Sequence, residues 1–175
     1  MGRAHAASIA ERLLGKAELK LGAAHELFDK GFFEDSASRS YYAMFHAARA
    51  VLAKVGVTTR THEGTVSEFG RMLVLRGVLP RDLGRALAEA KAARETYEYS
   101  ATMEIQRDEA EAILRDAERF VTQVKSQLRS LKPRTTADPA GSGAKKAGVQ
   151  GMKRLLDSMR LSGGLLISVT TKILG

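Results

Sequence analysis

The sequence predicts an all-α protein: a four-to-five-helix up-and-down bundle followed by a flexible basic C-terminal tail. Three observations carry this. Apolar residues recur at spacings of three and four through successive segments. No segment shows sustained period-two alternation. After Leu131 the apolar stripe gives way to KPRTTADPAGSGAKKAGVQG, rich in Gly, Ala and Lys and holding two of the chain's three prolines. The expected division is a helical domain over residues 1–131 and a tail over 132–175.

The elements follow in order. Ile9, Leu13, Ala17, Leu21, Ala24 and Phe28 form one apolar face, and Gly31 supplies a stop. The second helix is expected to start at Asp35 or Ser36, both good caps, and to end at Gly56 after Tyr41, Met44, Phe45, Ala48, Leu52 and Val55. A shorter, less regular third helix is capped by Thr61, uses Val66, Phe69 and Leu73, and stops at Gly77. Pro80 opens a fourth helix buried through Leu83, Leu87, Ala90 and Tyr97. Past a break at Glu98–Met103, residues from Ala110 to Leu131 define the last. In the tail, Met152, Leu155, Leu156 and Met159 can form a short amphipathic helix, read as part of a poorly ordered appendage.

Composition narrows function. The chain has no cysteine, which removes disulfides, thiolate metal sites and a cysteine nucleophile, and suits a reducing compartment. With no signal-like N-terminus and no run of about 18 apolar residues, a cytoplasmic protein without integral membrane association is expected. The net charge of +8 is unevenly placed. Residues 1–130 hold 20 Lys/Arg against 18 Asp/Glu, whereas residues 131–175 hold 8 against 2. Most of the basicity belongs to the tail, where it can add a nucleic-acid or membrane-surface contact. No P-loop, dinucleotide fingerprint or GxSxG elbow is present. His5 and His25 are isolated and His62-Glu63 lacks a second histidine at ligand spacing, so neither a metal nor a cofactor is expected.

One pair of residues carries chemistry. At about 100° per residue, Arg39 and His46 in SRSYYAMFHAARAVL fall within about 20° of each other, opposite Tyr41, Phe45 and Leu52. Ala43, Ala47, Ala50 and Ala53 share that side, which points to a close second neighbour, either another helix or an identical subunit. RNA cleavage through the 2′-hydroxyl needs a base, an acid and a cation facing the phosphorane, which a histidine and an arginine can provide. Spacing alone leaves a plainer alternative open: a histidine satisfied in a helix interface and an arginine paired with Glu34, Asp35 or an acid of another helix. Arg94 and Tyr97, one turn apart, can likewise be a phosphate contact and stacking ring, or a solvated residue beside a core one.

Longer runs add a resemblance. ELFDKGFFEDSASRSYYAMFHAARAVLAKVG, THEGTVSEFGRMLVLRGVLPRDLGRALAEAKAARETYEY and DEAEAILRDAERFVTQV together resemble the small stand-alone HEPN domain proteins of bacteria and archaea, over about residues 8–130. YYAMFHAARAVL is the most specific part, supported by Arg94-x-x-Tyr97 and Ala117-x-x-Phe120.

The resemblance implies a helical bundle, usually dimeric and often encoded beside a minimal nucleotidyltransferase. It also implies a toxin–antitoxin or phage-defence component, several branches of which are metal-independent ribonucleases using Arg, four to six intervening residues, and His at the dimer cleft. Arg39 and His46, with six between, fit the outer limit and are the implied catalytic pair. Ser40, Tyr42, Arg49 and Arg94 are the implied RNA or nucleotide contacts. The motif departs from the well-supported nuclease branches in lying on the second helix and in having Ser after Arg. No histidine follows Arg94 on the later helix, and Tyr41 and Tyr42 precede His46, so nucleotidylation of a tyrosine is not carried over. A non-catalytic adaptor that dimerises and binds a nucleotide or the nucleotidyltransferase therefore stands beside the ribonuclease reading.

Overall fold

A computed structural model describes residues 3–100 and 102–131. The tail, including the helix expected at Met152–Met159, lies outside the described residues. Helices run over α1 Arg3–Asp29, α2 Phe33–Lys54, α3 His62–Phe69, α4 Arg81–Tyr99 and α5 Arg107–Ser130, and a single π turn, Gly70–Val74, extends α3. Among the described residues there is no strand, and no helix is long and apolar enough to cross a membrane.

Side-chain pairs fix the directions. Glu18 meets Lys125 and His25 meets Glu118, so α1 and α5 are antiparallel. Asp82 meets Arg119 and Tyr97 meets Glu109, so α4 and α5 are antiparallel as well. A turn through Gly31, at φ +82°, reverses the chain between α1 and α2. The result is the up-and-down bundle the sequence predicts, with α3 and its π turn inserted before α4.

α2 is the central element: twelve of its 22 residues are buried. The main core joins Tyr41, Leu52, Phe69, Leu73, Leu83, Leu87 and Phe120, with the Phe69 and Phe120 rings 5.1 Å apart. Ala43, Ala47 and Ala50 lie within an arc of about 60° that also holds Ser36, and all are fully buried. Ser36 Oγ donates to the Ala24 carbonyl of α1 at 2.8 Å. On α1 the most buried residues are Ala10, Ala17 and Ala24, one every second turn. Small side chains on both helices thus let α1 and α2 approach closely, and the alanine face of α2 is occupied within the chain itself.

Two local expectations change. α2 begins earlier than Asp35 or Ser36, at Phe33, and no side chain caps it, because Ser36 turns inward to α1 instead. The irregular third segment owes its broken periodicity to the π turn, where Leu75 N–H bonds to Gly70 C=O at 2.9 Å and Met72 and Leu73 are both driven inward. The Thr61 cap is present: its Oγ1 accepts from Gly64 N–H at 3.0 Å.

Candidate functional site on the open arc of α2

Because α2 is wrapped on most of its circumference, its remaining surface is conspicuous. Ser38, Arg39, Tyr42, His46, Arg49 and Ala53 are only partly buried and fall within an arc of about 100°. Arg39, Tyr42, His46 and Arg49 follow at spacings of three, four and three, a single stripe along the helix. Arg39 and His46 are two turns, or about 10.5 Å of rise, apart, so within one chain they flank Tyr42 rather than touch. Neither Arg39 nor Arg49 forms a hydrogen bond or ion pair among the described residues, which disposes of pairing with Glu34 or Asp35.

Phe45 is the common wall of the site. Its ring lies 5.5 Å from that of His46, and the Arg49 guanidinium sits 5.6 Å above its centroid. His46 Nδ1 is buried without a partner among the described residues, which departs from the satisfied interface histidine of the plainer alternative. Burial, then Arg49, Lys16, Lys20 and His62, pushes the His46 imidazole down to about 4. At neutral pH the ring is therefore uncharged and surrounded by cations from α1 and α2.

A second imidazole lies against the same ring. His62, the first residue of α3, stacks on Phe45 at 4.3 Å with the planes 12° apart. Its Nδ1 lies 2.6 Å from the hydroxyl of the fully buried Tyr41. Arg94 of α4 covers Tyr41 at 5.8 Å and Tyr42 at 5.3 Å, and pairs with Glu98. Lys91, one turn earlier, bridges Glu63 of α3 at 3.0 Å and Glu95 at 2.7 Å. These contacts lock α3 against the α2–α4 pair.

The expected site residues thus divide. Tyr42, His46, Arg49 and Arg94 gather around Phe45 and Tyr41, and Arg39 lies on the same stripe one turn from Tyr42. Ser40 does not join them. One residue past Arg39, it turns about 100° into the bundle, where it is fully buried and its Oγ has no partner, so it cannot contact a ligand. Tyr97 lines a cavity with Arg94 and Ser38, but its hydroxyl is spent on Glu109 of α5, 2.7 Å away. His62 was missed because its partner lies 21 residues away, although a tyrosine placed in the core always needs a partner for its hydroxyl.

Comparison with known proteins agrees with this architecture. The HEPN domain family model matches residues 10–127, and the chain belongs to that family. A "UPF0332 protein" of Gloeobacter violaceus is 37% identical over 62% of this chain and 87% of its own. A "UPF0332 protein" of Archaeoglobus fulgidus is 36% identical over 67% of this chain and 94% of its own. A Methanocaldococcus jannaschii protein that bears the name "Putative toxin" is 32% identical over 69% of this chain and 82% of its own.

Proposed function

We propose that the chain is the toxin component of a toxin–antitoxin or defence pair and that it cleaves RNA without a metal at the open arc of α2. It acts as a homodimer whose partner in the pair is a nucleotidyltransferase. The observation that carries this is the stripe itself: the one broad surface left on the most buried helix holds two unpaired arginines and an uncharged histidine. The name "Putative toxin" of two Methanocaldococcus jannaschii relatives supports the toxin role.

The chemistry follows from the surroundings. A phosphodiester seated beside Arg49, Lys16 and Lys20 of one chain, with Arg39 supplied by the second, meets cations that face charge developing on the phosphorane. Neutral His46 of one chain takes the 2′-hydroxyl proton, and the 5′ oxygen leaves with a proton from His46 of the second chain, which acts as the acid in its imidazolium form once the bound phosphate has raised its pKa. A free-chain value near 4 makes His46 a weak base; the bound phosphate offsets the repulsion from Arg49, Lys16 and Lys20 and raises it, while burial, the larger cause, still holds it below its ordinary range.

That low value also favours a second reading, in which the same surface binds RNA, a nucleotide or the nucleotidyltransferase without cleavage. Induced expression separates them. The ribonuclease reading predicts growth arrest with cut RNA, and no arrest from His46→Ala or Arg39→Ala at equal protein level. Arrest that survives both substitutions, or arrest with intact RNA, favours the adaptor.

A further inference from the structure

We infer that His62 is a ligand-contacting donor of this surface, and that Tyr41 is the positioning residue that fixes which of its nitrogens carries the proton. The inference rests on the RNA-binding reading above and adds a residue to it.

Tyr41 is fully buried, and the partner of its hydroxyl among the described residues is His62 Nδ1. Burial raises the phenol's pKa, so it keeps its proton and must donate it. Nδ1 is then the acceptor, which places the imidazole hydrogen on Nε2. Burial, followed by Arg94, pushes the His62 pKa down and keeps the ring neutral. Stacking on Phe45 and edge contact with Tyr42 at 5.9 Å hold the plane of the ring. Nε2–H has no partner among the described residues and is not among the atoms sealed from solvent.

A fixed neutral N–H thus lies against the Phe45 ring, near Arg94 and near Lys91, whose charge Glu63 and Glu95 already share. An acceptor with negative charge suits that position: a non-bridging phosphate oxygen of single-stranded RNA. Losing such a donor costs about tenfold in affinity.

The test uses the full chain and a single-stranded RNA analogue with 2′-deoxy sugars, which cannot be cleaved by 2′-hydroxyl attack. Nitrogen-15 imidazole spectra should show His62 as the Nε2–H tautomer in the wild type and as a mixture in Tyr41→Phe. Affinity for the analogue should fall about tenfold in His62→Phe, which keeps an aromatic ring on Phe45, and stay within about threefold of wild type in His62→Gln, whose amide reaches the Nε2 position. Circular dichroism checks that each variant is folded. A wild-type Nδ1–H tautomer, or equal affinity of His62→Phe and wild type, overturns the inference and leaves the RNA-binding reading standing. Failure of the wild type itself to bind the analogue overturns both.

Discussion

His46 is held between burial and charge, and pH exposes the balance. Its folded pKa near 4 lies below the ordinary histidine value of about 6.5, so the unfolded chain binds more protons between these limits. This residue's contribution to stability is full above about pH 6.5 and is lost as pH falls toward 4. His62, also lowered, works in the same direction. Denaturant midpoints across pH 4–7 should therefore fall toward acid, less steeply in His46→Gln. Adding the 2′-deoxy RNA analogue should move the His46 titration upward, because an anion among Lys16, Lys20 and Arg49 relieves the repulsion that disfavours the protonated ring. That Arg39 and His46 share one face of α2 was legible at this scale because both lie on one helix. Ser40 was misplaced because a polar residue after the arginine looks available until the neighbouring helix is known to cover it.

At the scale of elements, α1 and α2 make the closest pair, and the alanines are the reason. Ala47→Leu should overpack a fully buried position and cost about 1–3 kcal/mol in unfolding free energy. Ser36→Ala removes the buried bond to the Ala24 carbonyl, with an expected loss of about 0.5–1.5 kcal/mol. Thr61→Ala removes the cap of α3 and should cost about 1 kcal/mol. Thermal or denaturant melts check all three, and a neutral Ala47→Leu would mean that α1 and α2 are not in close contact. The long helices could be read from the sequence since α2, α4 and α5 repeat their apolar positions without interruption. The α3 segment resisted because one π turn shifts the register, and the alanine face was ambiguous because small residues serve a helix of the same chain and a second subunit equally well.

At the scale of the whole molecule, the dimension that matters is charge. Residues 131–175 carry a net +6 and residues 1–130 a net +2. Removing residues 132–175 should lower the salt dependence of RNA binding while leaving the helical melt in place, since every described core residue lies at or before Leu131. An unchanged salt slope would remove the tail from the binding account. The proposed dimer would bring a second copy of the open arc to the first, which the ribonuclease reading needs because Arg39 and His46 of one chain are two helical turns apart.

Whether the open arc of α2 cleaves RNA is read most directly from the single-turnover cleavage rate of purified protein on single-stranded RNA with excess chelator. The account predicts measurable cleavage by wild type and a fall of about 10²–10⁴-fold in His46→Ala, with an unchanged melting curve. Equal rates for wild type and His46→Ala, or cleavage that disappears with the chelator, would contradict it.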